Sequence, residues 1–282
     1  MREIFLEPFA LGFMRRALAG CLALSVAAPP LGVFLVLRRM SLMSDVLQHG
    51  VLPGIALGAI FAGLSVWAMG LGGIIAGLAV AVIAGWLARR TGGKEDSQLA
   101  GMYLLALAAG VALVSTQRSV DLTHLLFGNV LAVDEPALLG MAAVASITLP
   151  VLALIWRPLV LESLDPGFVA ATGRRGTLWH LLFLTLVVLC VVSGFVALGT
   201  LMAVGLMMLP AIAARHWSES LSGQVKVAVL LACLSSYGGL ILSYNFDIPA
   251  GPAIVLTAGS FWIISLVGGP KAGLWRQASP DA

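Results

Sequence analysis

An acidic and an imidazole side chain stand four residues apart in a stretch that is otherwise mostly apolar. Asp45 and His49 lie in RRMSLMSDVLQHGVLPGIALG, residues 38–58. Four residues make about one helical turn, so both side chains would project from one helix face. Ionisable groups inside a membrane segment are costly and by default mark an ion or substrate path. Since carboxylate and imidazole also bind divalent metals such as zinc and manganese, the turn predicts a metal path through a membrane.

Two other interpretations of this turn remain open from the residues alone. Asp45 and His49 could instead form a buried hydrogen bond that locks two helices together. Met40 and Met43 flank the pair, and thioether sulfur is a ligand for softer metals. Methionine in an apolar helix, however, more often fills space between packed side chains.

The composition indicates a protein that lives in a lipid bilayer. Of the 282 residues, 60% are hydrophobic and only 10% are charged, whereas soluble domains carry about 25% charged residues. The mean hydropathy is +1.03. These values predict an all-α, polytopic transmembrane helical bundle that forms a single domain over residues 1–282. A net charge of +3 does not call for a nucleic acid partner.

The apolar runs set the number of spans, because a membrane helix needs about 20 mostly apolar residues. The sequence predicts nine spans, or eight if short neighbours merge. Basic residues favour cytoplasmic loops, and placing the loop at Arg38 and Arg39 inside puts 12 of the 16 basic residues there, with the C-terminus inside. The predicted spans are 17–37, 50–69, 71–88, 99–116, 136–156, 179–197, 199–216, 226–244 and 252–268, and Pro53 and Pro210 are expected to interrupt or kink theirs.

One predicted cytoplasmic loop, residues 157–178, is longer than a simple turn. In the sequence RPLVLESLDPGFVAATGRRGTL, Asp165 and Pro166 are typical of an N-cap and a first helical position. A short helix over 168–172 would follow, with Gly173 as its C-cap. This helix is either a docking element for a partner or an ordinary interfacial helix.

The motifs of several enzyme classes are missing from the sequence. It contains no Walker A motif, no His-Glu-x-x-His and no Gly-x-Ser-x-Gly. An intramembrane hydrolase would need a nucleophile with a base, or a three-ligand metal site. The chain is therefore expected to be a transporter subunit that binds no cofactor of its own.

Six segments, in order, resemble the membrane permeases of the ABC-3 family, which import zinc, manganese and iron. The resemblance covers roughly residues 12–268. The most characteristic segment is 31–58, where an arginine-containing turn leads into Asp-x-x-x-His and Leu-Pro-Gly. The other five segments are KEDSQLAGMYLLALAAGVALVS (94–115), DLTHLLFGNVLAV (121–133), DPGFVAATG (165–173), VGLMMLPAIAAR (204–215) and DIPAGPAIVL (247–256).

This resemblance implies a specific assembly. Such permeases work as homodimers in the bacterial inner membrane, where two cytoplasmic ATP-binding subunits hydrolyse ATP and a periplasmic metal-binding protein delivers the ion. By matching position, Asp45 and His49 become the metal-contacting pair. The segment 165–173 becomes the helix that couples to the ATPase, with Asp165, Pro166, Phe168, Ala170, Ala171 and Gly173 as its residues.

The sequence departs from the family pattern beside the pair. Ser44 stands where glycine is common, Gln48 where a small residue is common, and Gly50 where alanine is common. The local sequence is closer to the manganese-type branch, although the metal could be zinc or, less well supported, iron. Two rival functions are a permease for a metal chelate, such as a siderophore or cobalamin, and an ion-driven secondary metal transporter.

Overall fold

Long apolar helices account for most of the molecule. The computed structural model describes residues 7–41, 43–63, 65–91, 95–115, 130–165 and 176–271. Within these residues the regular structure is helical, with short 3₁₀ turns at Glu7–Ala10 and Val130–Ala132. The α-helices are α1 (Gly12–Leu37), α2 (Met43–Gly50), α3 (Leu52–Ala62), α4 (Val66–Thr91), α5 (Glu95–Ser115), α6 (Glu135–Leu164), α7 (Gly176–Leu198), α8 (Thr200–Ala214), α9 (Leu221–Phe246) and α10 (Ala250–Gly268).

Most of these helices are able to cross a bilayer. In the described part of the chain, seven helical segments are long and apolar enough, with α2 and α3 counted as one. Two shorter apolar helices accompany them, Ala100–Leu113 within α5 and the whole of α8. The prediction of an all-α, multi-span membrane bundle is confirmed; within the described ranges, seven long and two short apolar helical segments are present.

The second span begins earlier than the sequence predicted. The expected range was 50–69, whereas the helical segment runs over Met43–Ala62 and the next helix starts at Val66. The polar residues Asp45 and Gln48 lower the hydropathy of the first turns, which shifts a prediction based on apolar runs toward the C-terminus. The correction places the Asp45–His49 turn inside the membrane-spanning segment.

The predicted loop at 157–178 is shorter in the structure. Helix α6 continues to Leu164 and α7 starts at Gly176, so only residues 165–175 separate the two helices. Arg157 and Glu162 end the apolar run without ending the helix, and α6 accommodates Pro158 in its interior. The short helix predicted after Asp165 lies outside the described residues.

A break divides the second span between α2 and α3. Val51 is the N-cap of α3, and Pro53 follows within the first turn, where its missing N–H leaves no hydrogen bond unmade. The main chain stays bonded across the break, because Val51 N–H donates to the Leu47 carbonyl at 3.0 Å and Ile55 N–H to the Val51 carbonyl at 3.1 Å. The interruption predicted at Pro53 therefore falls directly after His49.

Small residues and hydrogen bonds fix how the helices pack. Helices α3 and α4 approach so closely at Gly54 and Gly72 that a Cβ on either glycine would collide with the carbonyl oxygen of the other. Close approach of this kind holds helices together in lipid, where the hydrophobic effect does not. Between α1 and α9, the buried hydroxyls of Ser25 and Ser236 share a hydrogen bond of 2.8 Å.

A tight turn reverses the chain from α1 into α2. Arg39 has a φ of 59°, the left-handed conformation that usually belongs to glycine at the end of a helix. Its N–H donates to the Val36 carbonyl at 3.1 Å, and the Met40 N–H donates to the Leu35 carbonyl at 2.8 Å. These two bonds form a Schellman motif, which fixes the direction in which α2 leaves α1.

We expect that the Arg39→Gly substitution stabilises this turn. A left-handed backbone conformation costs a non-glycine residue about 1–2 kcal/mol. Part of the gain from glycine is lost, because glycine also gives the unfolded chain more conformational freedom. The melting temperature of the purified protein in detergent should therefore rise slightly. The matched change Arg38→Gly should lower it, because Arg38 is not strained but makes several side-chain contacts. A lower melting temperature for Arg39→Gly would contradict this account of the turn.

Candidate functional site

Helix α2 carries the predicted metal ligands at its two ends. Asp45 lies in the first turn of this eight-residue helix and His49 in the last. A carboxylate near a helix N-terminus interacts favourably with the helix dipole. The arrangement gives the short helix some electrostatic support while it presents both side chains on one face.

The two side chains are close but not hydrogen-bonded. His49 Nε2 lies 3.7 Å from Asp45 Oδ1, a distance beyond the usual range of an N–H···O bond. Two ligands at about 2.1 Å from one tetrahedral metal ion are about 3.4 Å apart. The observed separation therefore lets a metal ion sit between the two atoms after a small adjustment, and the alternative of a hydrogen bond that locks helices is not what the geometry shows.

The imidazole of His49 packs against Tyr103 from α5. The ring centroids are 5.5 Å apart and the ring planes are tilted by 51°. Sequence analysis missed Tyr103, which stands alone among apolar residues, and no spacing rule connects α5 with α2. The tyrosine ring covers one side of the pair and limits the rotation of the imidazole.

The second ring nitrogen of His49 has no partner. Nδ1 is buried and meets no hydrogen-bonding atom in the described part of the chain. A histidine that binds a metal normally donates its other ring N–H, and losing that support typically costs 10–100-fold in metal affinity. A metal bound through Nε2 would receive no such support from the described part of the chain.

The pair is partly open on one side. The side chain of Asp45 is 54% exposed and that of His49 is 24% exposed on the single chain. Since a carboxylate facing hydrocarbon is costly, this face needs water or another polypeptide next to it. Among the described residues no group of three or more histidine, cysteine, aspartate and glutamate side chains could hold a metal.

Two more polar residues of α2 have a buried atom without a partner in the described part of the chain. Ser44 is fully buried and Gln48 is 4% exposed. The Oγ of Ser44, the Oε1 of Gln48 and the Nδ1 of His49 are the buried side-chain atoms without hydrogen bonds in the described ranges. An unsatisfied buried polar group costs about 1–3 kcal/mol, and all three fall on one short helix. Ser44 and Gln48 are two of the three positions at which a departure from the family pattern is expected from the sequence, the third being Gly50.

Only one residue of the predicted coupling segment belongs to the described part of the chain. Asp165 is the C-cap of α6, and its N–H donates to the Leu161 carbonyl at 2.9 Å. The other five predicted residues, Pro166, Phe168, Ala170, Ala171 and Gly173, lie outside the described residues. The helices on either side, α6 and α7, contact each other along their length.

The match to a family model decides the class of protein. The model of the ABC 3 transport family matches residues 10–269. The chain belongs to the ABC 3 transport family. It is therefore a multi-pass permease of a bacterial plasma membrane, and the resemblance that the six sequence segments indicated is confirmed.

Individual relatives cover nearly the whole chain. The manganese import system permease protein ScaB of Streptococcus parasanguinis is 34% identical over 260 residues, which are 92% of this chain and 91% of the relative. A membrane protein of Haemophilus influenzae named for an iron transport system is 32% identical and covers 94% of this chain and 97% of its own length. The solved structure of PsaBC from Streptococcus pneumoniae with Fab superposes with a TM-score of 0.86 at 30% identity, covering 99% of this chain and 100% of that one.

We expect that Gln48→Leu separates stability from function in this permease. Because the Gln48 carbonyl oxygen has no partner, replacing the amide by an apolar side chain of similar size should leave the melting temperature unchanged or raise it. If the amide meets the transported ion or water during the cycle, transport should fall at the same time.

The measurement is thermal unfolding in detergent together with uptake by reconstituted vesicles. Leu47→Ala is the control, since it empties a fully buried apolar position on the same helix and should cost about 2–5 kcal/mol of stability. A marked loss of stability in Gln48→Leu would show that the amide does have a partner.

Proposed function

We propose that this chain is the permease of an ABC importer for a divalent transition metal ion, with manganese as the first candidate. The Asp45–His49 pair inside a membrane span is the observation that carries the proposal. The similarity to a permease named for manganese import and to a protein named for iron transport supports a metal as the cargo.

The donor atoms of the pair favour some metals over others. One carboxylate oxygen and one imidazole nitrogen suit manganese, iron and zinc, whereas soft thiolates would select other ions. Cys21 and Cys190 are buried at other places in the bundle, which leaves the site without thiolate donors from them. A pair of bare ligands 3.7 Å apart also suits a free ion better than a metal chelate, which brings its own ligands.

The open face of the pair supports a homodimer. A second copy of the chain, related by a two-fold axis, would cover the exposed side of Asp45 and contribute a second Asp45–His49 pair. Four ligands would then face one path at the dimer centre. Weak binding by each pair keeps release possible, which conduction through a membrane requires.

The energy for the cycle would come from a separate subunit. We place the docking of a cytoplasmic ATP-binding subunit at 165–173, which lies between the ends of α6 and α7 on the side where basic residues concentrate. On the opposite side a periplasmic metal-binding protein would deliver the ion. The chain itself would bind no cofactor and hydrolyse no ATP.

Substitution of either ligand should abolish metal uptake. Asp45→Asn and His49→Gln keep the size of each side chain but remove a charge or a ligand nitrogen. Uptake of radioactive manganese by cells that express the complete transporter should fall at least about tenfold. The reason is that losing one of few ligands weakens the binding free energy of the metal ion by more than about 1.4 kcal/mol. Zinc and iron are assayed in parallel to identify the preferred cargo.

Glu219→Gln is the matched control for the loss of a carboxylate. Glu219 is 79% exposed and pairs with Lys271 at 3.1 Å on the surface, where an ion pair contributes little, so uptake should not change. Full uptake of any of the three metals by a correctly inserted Asp45→Asn/His49→Gln double variant would show that the pair does not bind the transported ion.

Changes in the coupling segment should separate ATP hydrolysis from transport. Replacing Phe168 and Ala171 by glutamate would place charges where the ATPase is proposed to dock, and burying an unpaired charge at an interface typically costs several kcal/mol. Stimulated ATPase activity of the reconstituted complex should disappear, while metal binding to the permease is retained. Persisting stimulation would show that the ATPase docks elsewhere.

A further inference from the structure

Arg38 ties three helix ends together at the predicted cytoplasmic side. It is the C-cap of α1, and its side chain is only 8% exposed. Nε donates to Ser163 Oγ at 2.9 Å and an Nη donates to Glu162 Oε2 at 3.1 Å. The other Nη lies 2.9 Å from His180 Nδ1, and the guanidinium carbon lies 5.0 Å from the centre of the Phe183 ring. Because a guanidinium only donates, His180 accepts this bond through an unprotonated Nδ1.

An aromatic layer lies beneath the guanidinium. Phe34 of α1 packs edge-on against Trp156 of α6, with ring centroids 5.1 Å apart, and against Phe183 of α7 at 6.1 Å. The ends of α1, α6 and α7 are thus joined by both polar and apolar contacts. The planar fork of arginine satisfies several partners in fixed directions, which a lysine ammonium cannot do.

The partners of Arg38 lie on both sides of the proposed docking segment. Glu162 and Ser163 belong to the last turn of α6, and His180 belongs to the start of α7. Residues 165–175 connect these two ends. Movement of either helix end would therefore reach Arg38 through the residues that hold its guanidinium.

The chain after Arg38 leads directly to the metal pair. The Schellman turn fixes Arg39 and Met40, and the Met43 N–H donates to the Met40 carbonyl at 3.0 Å where α2 begins. Asp45 follows in the first turn of α2. These hydrogen bonds make the turn tight, so a displacement of the α1 end is passed on to α2.

We propose that Arg38 is a positioning residue that transmits movement of the ends of α6 and α7 to helix α2 and so to the Asp45–His49 pair. This inference rests on the proposed function, since it takes the ATPase to dock at 165–173. Without the guanidinium, the ends of α6 and α7 shift with the nucleotide state while α1 and α2 stay in place.

A cysteine reporter beside α2 tests this role without depending on the cargo. Ser41 is exposed directly before α2, and Ser41→Cys is introduced into a Cys233→Ser background because Cys21 and Cys190 are buried. Maleimide labelling of the full permease–ATPase complex is compared without nucleotide and with ATP plus vanadate. We expect the labelling rate to change by about fivefold or more, the lower range of measured coupling between sites, and Arg38→Lys to abolish that change.

The neighbouring arginine provides the control for these measurements. Arg39 is exposed, so Arg39→Lys changes the same residue type in the same turn and should leave the nucleotide response intact. Glu162→Gln keeps the shape of one partner but removes its charge, and should weaken the response. Co-purification with the ATPase shows that each variant still assembles.

Three results would overturn the proposal. They are an unchanged nucleotide response in Arg38→Lys, no response in the protein with Arg38 intact, or a loss of assembly in Arg38→Lys, which would make Arg38 part of the docking surface itself. Metal uptake by the Arg38-intact complex is measured alongside. A normal nucleotide response without uptake of manganese, zinc or iron would refute the proposed cargo but support the role of Arg38.

Discussion

The cost of an unsatisfied polar group in hydrocarbon is the constraint on which this molecule depends. Lipid offers no hydrogen bonds, so a polar side chain without a partner is costly within a membrane span. Elsewhere in the described bundle buried polar groups are paired, as in the Ser25–Ser236 hydrogen bond. On α2, by contrast, Ser44, Gln48 and His49 each keep a buried polar atom without a partner. The buried polar atoms without partners are thus concentrated on the helix that also carries the candidate ligands.

Such a concentration has a mechanical consequence. Each unpartnered group raises the free energy of this conformation by about 1–3 kcal/mol, and a different position of α2 or the arrival of an ion and its water would lower that cost. Helix α2 is short, and the break before Pro53 separates it from α3. The buried polar atoms without partners and the break in the helix thus occur together at the candidate site.

The fold class and the proximity of Asp45 to His49 were predictable from the sequence because both depend on local patterns. Apolar runs identify membrane helices, and a spacing of four places Asp45 and His49 on one face whatever surrounds them. The boundary of the second span was placed too late because the polar residues Asp45 and Gln48 lower the hydropathy that defines it. Tyr103 and the partners of Arg38 were missed for a different reason, since Arg38 meets Glu162 and His180 across more than 120 residues of chain. No periodicity in a single sequence records which distant helix ends meet.

The two polar centres differ in a way that fits different tasks. Each nitrogen of the Arg38 guanidinium donates a hydrogen bond, to Ser163, His180 or Glu162, and a ring lies below them, so breaking any contact leaves a buried charge with fewer partners. The Asp45–His49 pair is open, unbonded and supported on one side only. A hydrogen-bonded network keeps its geometry under force and therefore moves as a unit. Polar groups without partners can instead bind an ion or water that enters the site. In the proposed function the first property suits the end of α1, which would pass on movement, and the second suits α2, where a metal ion would be held only briefly.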